Sequence, residues 1–121
     1  MRIIILFVVL LQSLVGFSQG QVEMNDIAHE NYYQSQKIKD SLVIELKRIN
    51  SKDSTFITAF EASEKLWKTF VEGQFQLKFP EYESWETRRE IYGSQFDMLY
   101  FNFMKMYCDL RISTLYDLFE E

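Results

Sequence analysis

The spacing of apolar residues predicts helices along most of the chain. From Val22 to Ile49 the apolar residues recur every three to four positions, which is typical of one face of an amphipathic helix. This stripe consists of Met24, Ala28, Tyr32, Ile38, Leu42, Leu46 and Ile49. The polar run 50–54 interrupts it, and Asp53 or Ser54 can accept hydrogen bonds from the free amides of a following helix. We therefore predict a turn here.

A second amphipathic helix is predicted from Thr55 to Leu77. Its apolar stripe consists of Phe56, Phe60, Trp67, Phe70, Val71 and Phe75. Pro80 disfavours a helical conformation at Phe79 and lacks an amide donor, so the helix is expected to end before it. From Lys78 to Gly93 we expect a connection, with room for a short helix around Ser84 to Ile91.

The last helix is predicted to begin at Gly93-Ser94. Ser94 and Asp97 have the spacing of a capping box, with aspartate in place of the usual glutamate. The predicted buried face consists of Phe96, Leu99, Tyr100, Phe103, Met106, Tyr107 and Leu110. Three main helices with one short and one longer connection favour an all-α fold, a small antiparallel bundle with an aromatic core.

The first twenty residues have the pattern of an export signal. Arg2 supplies a positive start, residues 3–11 are an unbroken apolar run, and Gly16, Ser18 and Gly20 are small residues suited to signal peptidase. The apolar run is about half the ~20 residues that a membrane-spanning helix needs. We therefore predict a signal peptide at 1–20, a helical domain at 21–121, a periplasmic or secreted location, and no stable membrane anchor after cleavage.

Charge and cysteine content narrow the range of partners. The 121 residues include 13 basic and 18 acidic ones, a net charge of −5. This balance argues against nucleic acid and favours a cationic partner. Cys108 is the only cysteine, so no intramolecular disulfide can form, and its apolar surroundings favour a buried, inert thiol. Stability must come from packing, to which the 17% aromatic residues are well suited.

Residue patterns typical of enzymes are absent from the sequence. The single histidine, His29, has no second histidine or cysteine at metal-ligand spacing, and it is expected on the surface. No nucleophile elbow, phosphate-binding loop or dinucleotide fingerprint occurs. We therefore predict a protein that is not an enzyme and that uses no cofactor and no metal.

Four short motifs occur in order along the predicted domain. They are VEMNDIA near its start, FEASEKLWKTF in the second helix, YGSQF before the last helix, and Arg111 followed four residues later by Leu115. Together they resemble the N-terminal domain of the LprI-type lysozyme inhibitors of the bacterial envelope. The family positions matched here are Asn25, Trp67, Ser94 and Arg111. We expect Trp67 to anchor the core, Ser94 to cap a helix, and Arg111 to be a satisfied charge.

The chain departs from the family at its cysteines. Ile27, Phe75 and Phe103 stand where the family has cysteine, and Glu64 stands where it has the glutamine before the tryptophan. If the two later family cysteines are bridged, the resemblance implies that Phe75 and Phe103 lie face to face. An aromatic pair would then replace a covalent link.

The resemblance implies a protein partner, a cationic lysozyme-type muramidase. The segment FPEYESWE contains the candidate binding residues Glu81, Tyr82, Glu83 and Trp85, which combine negative charge with aromatic rings where the helical pattern lapses. The alternative for this segment is an ordinary connection with Trp85 folded onto the bundle. The alternative function is that of a structural or stress-related envelope protein acting through an exposed aromatic surface.

Overall fold

Four helices make up the described part of the chain. A computed structural model describes the backbone of residues 2–80 and 84–120 and the side chains of residues 20–80 and 84–120. The helices are α1 (Arg2–Ile49), α2 (Ser54–Lys78), α3 (Trp85–Tyr92) and α4 (Phe96–Asp117). The predicted all-α bundle is confirmed, and no strand occurs within these ranges. There are four helices rather than three main ones, because the connection before Gly93 contains α3.

The first helix extends beyond the predicted amphipathic segment, Val22 to Ile49. Its backbone is helical from Arg2, so it includes most of the predicted signal segment. Among the residues that the structure describes, no helix is long and apolar enough to cross a membrane. The signal peptide at 1–20, the domain at 21–121 and the periplasmic or secreted location stay predictions.

Local side chains set the ends of α2 and α3. Asp53, one of the two predicted caps, accepts a hydrogen bond from the backbone N–H of Phe56 at 3.0 Å and so begins α2. Ser84 begins α3 by accepting from the N–H of Thr87 at 3.1 Å. Gly93 ends α3 with a φ of 86°, a left-handed conformation that favours glycine. Both helices therefore lie within one residue of their predicted bounds.

The last helix, α4, packs against the other three. Its contacts with α1 follow the same order along both helices, since Asn25 contacts Met98 and Ser35 contacts Asp109. These two helices are therefore parallel, whereas α2 runs back between the two ends and is antiparallel to both. The α4 backbone lies close to α1, but α2 approaches it at only a few points. Large aromatic side chains fill part of this wider gap.

The core has two parts that lie toward opposite ends of the bundle. Near the turn between α1 and α2, the buried residues are Leu46, Phe60 and Leu115. Toward α3, the buried residues are Val71, Phe79, Phe96 and Phe103, surrounded by half-buried aromatic side chains. The predicted aromatic core is therefore confirmed for the end that contains α3.

The face of α1 that packs against α4 differs from the predicted apolar stripe. It follows an alternating three-four spacing and consists of Asn25, Ala28, Tyr32, Ser35, Lys39, Leu42 and Leu46, all buried or half-buried. Met24, Ile38 and Ile49 were expected on the buried face but are 49, 48 and 50% exposed. Asn25 and Ser35 lie on the packed face because each hydrogen-bonds to α4. The predicted stripe is therefore confirmed at Ala28, Tyr32, Leu42 and Leu46, and it is wrong at the three exposed positions.

Three aromatic or aliphatic residues of α2 and α4 were also predicted wrongly as buried. Phe70, Met106 and Leu110 are 47, 50 and 52% exposed. On α4, Cys108 and Arg111 are buried instead. This difference arises because α4 packs against neighbours on several sides, so its buried surface is wider than one apolar stripe. The predicted burial of the Cys108 thiol is confirmed.

The N-terminus of α4 is capped by α1 rather than by the predicted Ser94. Ser94 is exposed, and Gln95 at the cap position makes no side-chain hydrogen bond. The side-chain oxygen of Asn25 instead accepts from the backbone N–H of Met98 at 3.2 Å, and its amide nitrogen donates to the Ser94 carbonyl at 3.1 Å. The predicted partner Asp97 bonds to other groups. A capping side chain can therefore come from a distant helix when packing brings it close enough.

Alanine variants of Asn25 and Ser94 test which of these two residues caps α4. We expect Asn25→Ala to lower the free energy of unfolding by about 1 kcal/mol, because an orphan amide of α4 loses its acceptor. Ser94→Ala should change it by less than about 0.5 kcal/mol, as for other exposed positions. Urea unfolding followed by far-ultraviolet circular dichroism measures both values. A larger loss for Ser94→Ala than for Asn25→Ala would contradict the structural assignment.

Candidate functional site

A groove with a volume of about 710 Å³ is lined by residues of all four helices. It lies where α2 stands away from the packed pair of α1 and α4. Its volume falls within the ~300–1,000 Å³ range of small-molecule sites in proteins. Both tryptophans of the chain, Trp67 and Trp85, line it. The groove is therefore the candidate binding site of the described residues.

Aromatic rings form much of the groove wall. Phe75 contacts Tyr100 edge to face at a centroid distance of 5.4 Å, and Trp85 contacts Tyr100 at 4.6 Å. Burial raises the pKa of Tyr32 to about 12 and also raises the pKa of Tyr100 and of the Cys108 thiol. Tyr32 and Tyr100 are half-buried and Cys108 is buried, so water is partly excluded from this wall. Electrostatic interactions inside such a wall are stronger than at an open surface.

A buried ion pair borders the groove where α2 faces α4. Both Nε and Nη2 of Arg111 donate to Glu64 Oε1, at 3.0 and 2.6 Å. Nη2 also donates to the Ser63 hydroxyl at 3.1 Å, and the guanidinium carbon lies 5.7 Å from the Trp67 ring centroid. The arginine side chain is 9% exposed and the glutamate side chain 28% exposed. Arg111 is therefore the satisfied charge that was predicted.

A second buried arginine, Arg88 of α3, lines the groove without such a partner. The residue is 8% exposed, and its guanidinium carbon lies 4.5 Å from the Phe75 ring centroid. Nη2 donates to Gln76 at 3.3 Å, a long hydrogen bond, whereas Nε is buried and has no hydrogen-bond partner within residues 20–80 and 84–120. Among the described residues no carboxylate forms an ion pair with it. The positive charge of Arg88 is therefore desolvated but not neutralised there.

Trp85 is held onto the bundle by Asp97. Its indole N–H donates to Asp97 Oδ1 at 3.1 Å, and its ring lies 5.1 Å from Phe96. The same carboxylate accepts from Nε and Nη2 of Arg89 at 2.9 and 2.6 Å. Hydrogen bonds from Arg89 are the main reason that the pKa of Asp97 is lowered. This network joins α3 to the first turn of α4.

The Asp97 network predicts a loss of stability in acid. Because the pKa of Asp97 is lower in the folded than in the unfolded chain, its contribution is present above the unfolded value, about 4, and is lost as the pH falls through the folded value. We expect Asp97→Asn to be less stable than wild type at pH 7, with the gap closing below about pH 4. Urea unfolding across this pH range measures the gap. A gap that is independent of pH would contradict the assignment, and Glu90→Gln, at an exposed carboxylate, is the control.

The candidate partner-binding residues are only partly covered by the structure. Glu81, Tyr82 and Glu83 lie outside the described residues. Trp85 is half-buried and packs against α4, as in the alternative interpretation of this segment, although it also lines the groove. Its role in binding a partner stays a prediction.

Residues of the motifs that resemble the family contact one another in the fold. Asn25 hydrogen-bonds to the carbonyl of Ser94 at the start of α4. Arg111 lies against Trp67, which packs on the aromatic core as expected. The rings of Phe75 and Phe103 are in contact, with centroids 6.0 Å apart and planes inclined by 56°. The expected contact is thus present, as a tilted rather than a parallel pair.

Sequence reasoning missed the cationic residues of the groove. Lys39, Lys65 and Lys68 line it together with Arg88. The signal that would have found Arg88 is the period of α3, because Trp85, Arg88 and Tyr92 are three and four positions apart and so share one face. Lys65 and Lys68 are three positions apart on α2, but Lys39 belongs to α1, and no local pattern relates residues of the two helices.

Two further observations concern cofactors and relatives. Within residues 20–80 and 84–120, no group of three or more histidine, cysteine, aspartate or glutamate side chains could hold a metal ion. Comparison with known proteins found no matching family model, no matching curated protein and no matching solved structure.

Proposed function

We propose that this chain is an exported helical binding protein of the cell envelope, that it is not an enzyme, and that it acts as an inhibitor of a cationic lysozyme-type muramidase. The observation that supports the proposal is that residues of the four motifs that resemble the family contact one another in the fold. Residues matched in four separate motifs, including Asn25, Trp67 and Arg111, form contacts that tie α4 to α1 and α2. This is the behaviour expected of positions that specify one scaffold.

Charge distribution supports a cationic partner. From Gly20 to Gln36, α1 has three carboxylates and no lysine or arginine. Contacts of Asn25 with α4 bring this segment to the same end of the bundle as α3. Exposed carboxylates at this end, here called the acidic end, are Glu23, Asp26, Glu30, Glu86 and Glu90. None of them forms an ion pair with another described residue, so their field is available to attract a cationic protein.

Inhibition of a purified lysozyme tests the proposal. Protein expressed from the full-length sequence and purified from the envelope fraction should inhibit hydrolysis of peptidoglycan at micromolar concentration. Inhibition should weaken as salt rises, because encounter depends on charge that salt screens. Absence of inhibition by a sample shown to be helical by circular dichroism would overturn the proposal.

A matched pair of charge variants locates the binding surface. We expect Glu86→Lys with Glu90→Lys, on α3, to weaken inhibition by about tenfold or more through the lost attraction at the acidic end. Asp117→Lys with Glu120→Lys makes the same change in net charge at the far end of α4 and should leave inhibition unchanged. Equal effects of the two pairs would show that only net charge matters.

One observation favours the alternative, a structural or stress-related envelope protein. Leu66, Phe70 and Leu77 of α2 are 71, 47 and 75% exposed. Exposed apolar side chains of this size on one helix are typical of an interaction surface. If they hold copies of the chain together, light scattering will show a mass that rises with concentration, and Leu66→Glu with Leu77→Glu will abolish the rise. A monomer at all concentrations would contradict the self-association form of this alternative.

A further inference from the structure

The groove combines an apolar wall with a charge that the chain as a whole does not have. The net charge of the protein is −5. The groove is lined by four cationic side chains, those of Lys39, Lys65, Lys68 and Arg88, and by only two carboxylates, Glu64 and Glu72. Glu64 is already paired with Arg111, and Lys39 lies 4.0 Å from Asp40, so Lys65, Lys68 and Arg88 remain against Glu72. The groove is therefore a positive site in an acidic protein, and such a site favours an anionic ligand.

The placement of the charges suggests how a ligand would be oriented. Arg88 is buried against Phe75, whereas Lys65 and Lys68 are exposed at the rim. A guanidinium that has lost water without gaining a counter-charge raises the free energy of the unliganded protein. An anion bonded to it would recover that free energy, which makes Arg88 the group that an anionic ligand would satisfy.

The apolar part of the groove wall favours a ligand that also has an apolar part. Trp67, Trp85 and Met104 line the groove, and the first two present aromatic rings. Phosphate or another small inorganic anion would leave these side chains uncovered. A ligand with an acyl chain or an aromatic body would remove them from water and so add hydrophobic free energy to the ion pair.

We propose that the groove binds an organic carboxylate with an apolar body, with the carboxylate on Arg88 and the body against the tryptophans. This function goes beyond the proposed inhibition of a muramidase. It depends on the buried side of α3, where Arg88 lies, whereas the proposed inhibition depends on the exposed carboxylates of the acidic end. The lysines at the rim steer the anion toward the groove, and Arg88 selects the charged head group.

Intrinsic fluorescence gives a direct test, because both tryptophans of the chain line the groove. Protein expressed from the full-length sequence is titrated with three ligands, all below micelle-forming concentrations. Decanoate has both the apolar body and the charge. Decanol has the same body without the charge, and acetate has the charge without the body. We expect decanoate to bind about tenfold or more tighter than decanol, as for a charge-assisted hydrogen bond, and acetate to produce no change. Equal binding of decanoate and decanol, or no binding of either, would overturn the proposal.

Variants of Arg88 show whether this residue causes the preference for decanoate over decanol. Arg88→Gln should weaken decanoate binding by about tenfold and leave decanol binding unchanged, because only the ion pair is lost. Arg88→Lys keeps the charge and should retain part of the preference. Arg48→Gln removes an exposed charge on α1, outside the groove, and serves as the matched control. A preference for decanoate that survives in Arg88→Gln would overturn the proposal.

A carboxylate of the chain itself is the competing occupant. Glu81 and Glu83 precede α3 and lie outside the described residues. If either neutralised Arg88, wild-type protein would bind decanoate no better than decanol, and Glu81→Gln with Glu83→Gln would tighten decanoate binding. The proposal expects this double variant to bind decanoate like wild type. Lysozyme inhibition measured on the same Arg88→Gln sample keeps the two functions apart, since it should be unchanged.

Discussion

Replacing Phe96 by alanine is expected to lower the free energy of unfolding by about 3–5 kcal/mol. Phe96 has no exposed surface and is the largest fully buried side chain among the described residues. Its ring centroid lies 5.1–5.8 Å from those of Trp85 and Tyr92 of α3 and of Phe79 at the end of α2. Truncation would leave a cavity that these large rings cannot fill without moving off their rotamers.

This loss is a large part of the stability of a domain of about 100 residues, which is of order 5–15 kcal/mol. Urea unfolding followed by circular dichroism measures it. Phe70→Ala is the matched control, because Phe70 is 47% exposed and should cost less than about 1 kcal/mol. Equal losses at Phe96 and Phe70 would show that the aromatic cluster is not the main source of stability.

Replacing Glu64 by leucine is expected to cost about 3 kcal/mol, because it leaves the buried charge of Arg111 with only the Ser63 hydroxyl. The opposite change, Arg111→Met, should cost less. Glu64 is 28% exposed on its side chain and can be hydrated after the arginine is lost, whereas Arg111 at 9% cannot. The order of the two losses therefore follows from the difference in burial.

Glu64→Gln supplies the control for this pair. Glutamine is the residue that the resembled family has at this position, and its side-chain oxygen can still accept from Arg111. We expect a loss of about 1 kcal/mol, because the hydrogen bond is kept and only the difference between a charge-assisted and a neutral hydrogen bond is lost. Thermal and urea unfolding of the three variants give the comparison. A larger loss for Arg111→Met than for Glu64→Leu would contradict the argument from burial.

The sequence predicted helices well where local signals mark their ends. Asp53 predicted the start of α2 and Pro80 predicted its end, and Gly93 predicted the end of the connection. The packed face of α1 was predicted only in part. Asn25 and Ser35 were missed because they are polar, and they lie on this face because they hydrogen-bond to α4. Such bonds depend on tertiary packing, which a pattern of apolar residues does not contain.

The candidate site was harder to predict than the fold. Trp85 was selected from the sequence for its position in an acidic aromatic segment, and it does line the groove. Arg88, three residues later, was not selected, because an arginine in a short helix is usually solvated. It is distinguished by its contact with Phe75 and by a buried Nε that has no hydrogen-bond partner among the described residues.

The cap that Asn25 supplies to α4 links the two ends of the domain during folding. Asn25 and Met98, which are 73 positions apart along the chain, must be brought together before the first turn of α4 has its acceptor. A ribosome releases α1 long before α4, so this turn stays incomplete until the whole domain has emerged. Exchange of the Met98 amide with solvent deuterium would then report the separation of α1 from α4, rather than fraying of a single helix.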